Sequence, residues 1–458
     1  MNPKGATDPW VRSQDRRRNS ARFPGNVVPR RRSRLAWLGE LPQIAGAFLR
    51  HRRGRNHLAG AAAPAERPHI LLFTYDLHNL GNQALVFSAV AYLKRHYPHK
   101  QIHVLVFRRD RHPAYVFDVH TFLVEDKVRL LRRRAGHPLR GILERSCLAM
   151  DVSGLIFSHA MGWKLSIHFL LNLMLAREYG IPFVVYPQTL GPLDFPWPLR
   201  PILHALAAAY LPGAEKVFAR ERAGLDHLRP FGLENLALSP DAVLTAPTVA
   251  QQQVYVDGHA GNAPLPGEMP DTIAWVPNVR INERIPPERM RALNRRGIGA
   301  ALDSGLRVWV ICHSPSDRRA GRAAAGLFAR DDRVRLLEDP LDAIQMVDLL
   351  GRFRFIVSQR YHAIVHALKT HTPAVALSWD DKYNELYARL GLEDFCFDIR
   401  RGFRLESVEA AIIAMVSQAE QLRGSISAGL EGLTLQPVWD CLDRVLKEPD
   451  GEGVRRPA

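Results

Sequence analysis

Two Rossmann-like, doubly wound α/β domains facing a cleft are what this sequence predicts, and three observations predict them. Short apolar runs of strand length alternate with segments of helical period from residue 68 to about residue 400. The alternation breaks once, in a stretch at 246–271 rich in Pro, Gly, Gln and Ala. Polar and cationic side chains gather just past the ends of the apolar runs, where open parallel sheets build their sites. The resulting division is a basic tail at 1–67, a first domain at 68–245, a linker at 246–271, a second domain at 272–400, and terminal helices with a tail at 401–458.

Composition sets the class. A chain of 458 residues exceeds one ordinary core, and 47% apolar with 24% charged residues is the balance of a soluble globular protein. Cys147, Cys312, Cys396 and Cys441 form no CxxC pair, which argues against a zinc ribbon or disulfide framework and fits a reducing compartment. No apolar run approaches membrane-spanning length. The net charge of +16 sits mostly in the tail, where 14 Arg and one Lys face four acidic groups to give +11. Residues 1–34 read as disordered. The segment LAWLGELPQIAGAFL at 35–49 lies between RRRSR and RHRRGR, so 30–55 is a candidate for peripheral contact with an anionic membrane. The competing readings are a loose tail or sequence upstream of the true start. A secretory signal is not expected, nor is nucleic acid, because aromatic residues are sparse among the arginines. The expected location is cytoplasmic, with the inner face of the plasma membrane as the place for any peripheral contact.

In order, the apolar run at His69–Tyr75 predicts a buried strand, and the apolar spacing of Gln83–Tyr97 a helix. Ile102–Phe107 reads as a strand, Leu139–Met150 as a helix, Ser153–Phe157 as a strand and Trp163–Tyr179 as a helix. Pro182–Tyr186 and Lys216–Ala219 are strands, with helices at Leu199–Leu211 and Ala223–Leu228. Past the linker, strands are expected at Thr272–Pro277, Leu306–Cys312, Val334–Leu337, Phe353–Ser358 and Ala374–Ser378, with helices filling the gaps. Ser407–Leu422 and Val438–Lys447 have helical spacing and no strand after them.

The strand ends carry the chemistry. The run FRFIVSQRYHAIVHAL from Phe353 to Leu368 passes from strand to helix through Ser358, Gln359, Arg360 and His362. A helix N-terminus there offers free amides to an anion, Arg360 a planar fork, and His362 a group that moves protons near neutral pH. After the first strand, Asn79, Gly81 and Asn82 fit a tight turn whose backbone N–H groups face an anion at the following helix, the competing reading being an ordinary turn with Asn82 as the helix cap; one glycine is no dinucleotide fingerprint. Gln188 lies in the loop Tyr186–Pro192, and Arg220 follows a strand with Glu221 beside it to orient it. Asp241 sits in the loop Ser239–Ala242. Cys312–Asp317 ends a strand, with Asp317 expected to cap the next helix, and Lys382 follows Asp380 and Asp381. No metal-ligand cluster and no Ser-His-Asp set is apparent, and whether a metal is required stays open.

Taken in order, these pieces resemble the polysaccharide pyruvyl transferase family: N-x-G-N-Q-A at Asn79–Ala84, P-Q-T-L-G-P at Pro187–Pro192, A-R-E-R at Ala219–Arg222, S-P-D-A at Ser239–Ala242 and S-Q-R-Y-H-A at Ser358–Ala363, then Lys382. The resemblance spans about 68–400 and implies a glycosyltransferase-B-like fold. It also implies transfer of the enolpyruvyl skeleton of phosphoenolpyruvate to sugar hydroxyls, giving a pyruvate ketal on a cell-surface polysaccharide or its lipid-linked precursor. The implied roles are catalysis by His362, Arg360 and Arg220, and donor binding by Asn79, Asn82, Gln188 and Lys382, with no cofactor beyond the donor itself. Two places depart from the family pattern. Asn82 and Gln83 stand where the turn is usually acidic, and Ser158–Gly162 stands where a glycine triplet is expected. His159, Met161 and Gly162 are therefore assigned to the acceptor side of the cleft. A nucleotide-sugar glycosyltransferase and a non-catalytic saccharide-binding paralogue are the competing readings.

Overall fold

The computed structural model describes residues 67–107, 112–132, 136–257, 265–282, 284–338, 341–399 and 402–447, besides Gly46. The segment at 30–55 and the tail readings otherwise lie outside the described residues. Within them, two parallel sheets form, each from buried apolar strands of the kind that helices cover on both faces.

The first sheet contains β1 (His69–Thr74), β2 (Gln101–Val106), β3 (Asp118–Thr121), β4 (Ser146–Asp151), β5 (Phe183–Gln188), β6 (Lys216–Ala219) and β7 (Leu236–Leu238), in the order β3-β2-β1-β4-β5-β6-β7. Helices α1 (Leu80–His96), α2 (Val124–Leu131), α3 (Trp163–Glu178), α4 (Leu199–Tyr210) and α5 (Arg222–Leu228) connect them. The second contains β8 (Thr272–Val276), β9 (Arg307–Ile311), β10 (Val334–Leu337), β11 (Ile356–Ser358), β12 (Ala374–Ser378) and β13 (Cys396–Asp398), in the order β10-β9-β8-β11-β12-β13. Its principal helices are α6 (Pro287–Asp303), α7 (Ala343–Gly351), α8 (Tyr361–Lys369) and α9 (Asp381–Leu390). In both sheets the winding reverses beside the first strand, between β1 and β4 and between β8 and β11. Such switch points open a crevice at the carboxyl ends of the strands.

Two expected elements are corrected. Ser146–Asp151 is a strand, not the end of a helix, and the helical part before it is only Arg140–Glu144. Every residue of Ser146–Asp151 is buried, and a run buried on both faces carries no period to separate strand from helix. Ser153–Phe157 is consequently loop, although Ile156 and Phe157 are fully buried. The short strands β3, β7 and β13 are not legible in the sequence because each has only three or four residues, lies at a sheet edge and is at most partly buried.

The two sheets are tied together at several places. Gln83 Oε1 accepts from the Ala343 amide at the start of α7 at 2.6 Å. Glu385 on α9 accepts from the amides of Arg222 and Ala223, at 2.6 and 3.0 Å, satisfying the start of α5 from the other sheet's side. After α10 (Leu405–Glu431), α11 (Gln436–Lys447) returns to the first sheet. There Trp439 stacks on Tyr92 at 3.9 Å, and Asp443 accepts from the Tyr92 and Tyr97 hydroxyls, both at 2.7 Å. No helix among the described residues is long and apolar enough to cross a membrane.

Candidate active site

Between the carboxyl ends of the two sheets lies a cleft of about 610 Å³. Its floor is set by the β11–α8 junction, where each residue has a distinct task. The Ser358 hydroxyl accepts from the Arg360 amide and donates to the Arg360 carbonyl, both at 3.0 Å, closing the turn on itself. Gln359 Oε1 accepts from the Asn278 amide at 2.8 Å, locking this turn to the end of β8. Arg360 makes a bidentate pair with Asp317, with Nε to Oδ2 at 2.8 Å and Nη2 to Oδ1 at 2.5 Å, and Nη1 takes no part in it. Asp317 therefore does not cap its helix with its side chain, as expected from sequence; it grips Arg360 and accepts from the Val279 amide at 3.1 Å. No side chain caps the first amides of α8 either, so they stay available to an anion.

His362 packs its ring against the turn after β1. A Cβ on Gly81 would come within 2.2 Å of His362 Nδ1, so only glycine permits this approach. Asn79, rather than Asn82, caps α1, its Oδ1 accepting from the Gly81 amide at 3.0 Å. Asp76 Oδ1 accepts from the His78 and Asn79 amides, which holds the turn from its other end. The Nε2 atom of His362 is buried with no hydrogen-bond partner. Burial above all, and then the Arg220 guanidinium, hold this imidazole well below the ordinary histidine range, so it is neutral at neutral pH.

Arg220 enters from the first sheet already engaged. Its Nε donates to Glu221 at 2.8 Å, Nη1 to Asp241 at 2.6 Å and Nη2 to the Thr189 hydroxyl at 2.6 Å, while Thr189 donates to Glu221 at 2.8 Å. Three of the sequence motifs thus form one buried network. The guanidinium lies 4.7 Å from the Tyr361 ring, and Lys382 Nζ lies 5.6 Å from the same ring. Lys382 sits 3.5 Å from Asp380, and burial lowers the pKa of its ammonium.

Of the residues singled out from sequence, the cleft brings together Asn79, Asn82, Met161, Arg220, Arg360, His362 and Lys382. Gln188 is not among the residues lining it; fully buried, it donates to Asp151 at 3.3 Å beneath the site. His159 is exposed and meets the Pro192 carbonyl at 3.2 Å, and Gly162 has open space around it. The loop that leaves β4 at the switch point is Val152–Gly154, because β4 ends at Asp151 and not at Phe157. Gly154 takes φ +70°, and a Cβ there would meet Leu85 at 2.7 Å and lie 3.9 Å from His362. A residue without a Cβ is thus required here, where the Leu85 side chain closes on the backbone at positive φ. Sequence reading missed this loop, together with Asn278, Arg280 and Tyr383 in the lining. Arg280, exposed and four residues past the last residue of β8, could have been found by the strand-end rule applied to Val276–Arg280.

Residues 79–381, about two thirds of the chain, match the family model described as polysaccharide pyruvyl transferase. Among solved structures, S. aureus MnaA with UDP is similar at TM-score 0.52 and 12% identity, over 85% of this chain and 99% of that one. UGT71G1 of Medicago truncatula with UDP-glucose gives TM-score 0.52 at 9% identity, over 83% and 98% of the two chains. The UDP-GlcNAc 2-epimerase of Methanocaldococcus jannaschii gives 0.51 at 11% identity, over 83% and 99%. At such identity these likenesses show the two-sheet fold alone. The chain belongs to the polysaccharide pyruvyl transferase family and is a transferase enzyme whose family acts on polysaccharide.

Proposed function

We propose that this member of the family transfers the enolpyruvyl skeleton of phosphoenolpyruvate to two hydroxyls of one saccharide, releasing phosphate and leaving a pyruvate ketal. The observation that carries this reading is the neutral imidazole of His362, its Nε2 unpartnered, in a cleft lined by Arg220, Arg280, Arg360 and Lys382. The donor presents a carboxylate and a phosphate, and separate cationic groups suit two anions better than one. The free amides at the start of α8 and the unengaged Nη1 of Arg360 favour the phosphate there, with Arg280 facing the carboxylate.

The proton account closes. Ketal formation removes one proton from each of two hydroxyls, adds one to the methylene carbon and sends one away with the phosphate. A neutral His362 can take the proton of the first attacking hydroxyl. Its conjugate acid, with a depressed pKa, is a strong acid, and protonation of an enol carbon calls for one. Arg220, held by two carboxylates, opposes that imidazolium and so favours its return to the neutral form. The donor itself carries the leaving group, so this reading invokes no cofactor. The acceptor is a cell-surface polysaccharide or its lipid-linked precursor, met in the cytoplasm, and contact of 30–55 with an anionic membrane would bring the enzyme to it.

The test is ligand-dependent melting followed by turnover. Phosphoenolpyruvate should raise the melting temperature, and with a saccharide acceptor it should release phosphate. If UDP-sugars stabilise the protein and phosphoenolpyruvate does not, a glycosyltransferase replaces this reading. Stabilisation by saccharide alone, with no phosphate released, leaves a binding paralogue.

A further inference from the structure

A second constellation lies at the far edge of the first sheet, toward the amino ends of its strands, away from the cleft. Strand pairing places His103 of β2 directly opposite Asp118 of β3, and His120, two residues on, shares the face of Asp118. His103 Nδ1 is 3.1 Å from His120 Nε2 and 3.4 Å from Asp118 Oδ2, and the three ligand atoms all lie within 4.8 Å of one another. Metal–ligand bonds of about 2.0–2.1 Å in a tetrahedron put neighbouring donor atoms roughly 3.3 Å apart. The two measured spacings fall on either side of that value.

The remaining nitrogen of His103 is also accounted for. Its Nε2 lies 3.0 Å from His69 Nδ1. A metal on Nδ1 fixes the proton on Nε2, which then donates to His69, the outer support that metal-bound imidazoles usually have. His103 is buried, His120 half-buried and Asp118 exposed, so the set is anchored on one side and open to water on the other. Linear spacing did not reveal it, because β2 and β3 meet only through sheet pairing.

We propose that His103, Asp118 and His120 bind one divalent transition ion of the zinc class, with water completing its coordination and His69 orienting His103. Two imidazoles and one carboxylate suit zinc, cobalt or nickel; magnesium and calcium prefer all-oxygen sets. The ion pins β3, a four-residue edge strand, to β2. It acts on the fold of this edge and takes no part in the transfer reaction.

The full chain, prepared without a polyhistidine tag and stripped with chelator, is titrated with Zn²⁺ by calorimetry, with melting temperature followed in parallel. The expected result is about one equivalent bound and a higher melting temperature, with Mg²⁺ inert. His120→Ala and Asp118→Asn should each lose the equivalent and the melting shift. His69→Phe should weaken binding by roughly 10–100-fold. Asp118 is mostly exposed, so its substitution tests the site even if His120→Ala folds poorly. Failure of the stripped protein to take up zinc, or unchanged uptake by Asp118→Asn and His120→Ala together, overturns the proposal.

Discussion

Arg220 and Arg360 each follow a strand and precede a helix, one on each sheet, yet they are held in opposite ways. The side chain of Arg220 is 2% exposed and meets two carboxylates and a hydroxyl; that of Arg360 is 17% exposed and meets one carboxylate and, at 3.2 Å, the Ser316 hydroxyl, all through Nε and Nη2. A buried guanidinium with its carboxylates already matched is a fixed charge that positions its neighbours. A half-open guanidinium with Nη1 unengaged can still take on a ligand. Residue type is thus a weak guide to role, and the number of partners already met is a better one. His362 lies between these regions, neutral because burial and the first arginine both disfavour its charge.

The largest expected effect comes from removing what the two arginines serve. His362→Ala should lower turnover by ~10²–10⁴-fold with donor affinity nearly unchanged, if it acts as acid and base. Steady-state turnover beside donor binding on the same preparation checks this. Near-normal turnover in folded protein would show that the site's proton carrier lies elsewhere.

The contrast between the arginines is broken or kept by stability. Arg220→Met leaves Glu221 and Asp241 buried without their cation and should cost about 3–5 kcal/mol of folding free energy. Chemical denaturation measures it. Should the variant melt like the parent and lose only donor affinity, Arg220 would be a ligand group like Arg360, and the distinction would fail.

Acid titration sharpens the electrostatic side. Burial holds His313 and His362 well below the ordinary value of 6.5 and His366 at about 3, so the folded protein keeps them neutral where the unfolded chain takes up protons. Their contribution is fully present above about pH 6.5 and is lost as pH falls below it, at up to ~1.4 kcal/mol per unit per group. Asp151, which burial pushes up to about 6, and Asp342, also raised by burial, work in the opposite direction, but His168 is held low by burial as well and keeps the balance with the histidines. The net expectation is a melting temperature that falls between about pH 6.5 and about pH 5. The acid limb of kcat/KM should lie below the ordinary histidine range, because His362 stays a base there. A limb near 6.5 would mean that His362 is hydrated in solution.

How much of this was legible in the sequence follows the same division. The alternation of apolar runs disclosed both sheets, because fully buried parallel strands such as β1, β8 and β12 write themselves as continuous apolar text. The same property hid β4, where SCLAMD can be read as either element. The Ser358–His362 junction and Arg220 were recognisable as strand-end chemistry. Their partners were not: that Asp317 pairs with Arg360, and Asp241 with Arg220, depends on how loops from separate strands meet. Gln188 misled because a polar side chain at a strand end can turn inward, here to Asp151. Gly154 is hidden when the strand is read through to Phe157, because the real strand ends at Asp151 and the chain already turns at Gly154.

Arg360→Lys is the smallest expected change and the most discriminating. Lysine keeps the positive charge, so Asp317, fully buried, retains a counter-ion and the fold should lose little. It cannot keep the fork, so it cannot hold Asp317 along one edge while offering a second N–H to the donor. Losing one charge-assisted hydrogen bond of about 1.5–3 kcal/mol should raise the donor dissociation constant by roughly tenfold or more. Turnover at saturating donor should change less, because His362 and its neighbours are untouched. Donor binding by calorimetry, with melting temperature on the same sample, separates the outcomes. An unchanged dissociation constant with a large drop in melting temperature would make Arg360 a structural partner of Asp317, and the two arginines would then be alike after all.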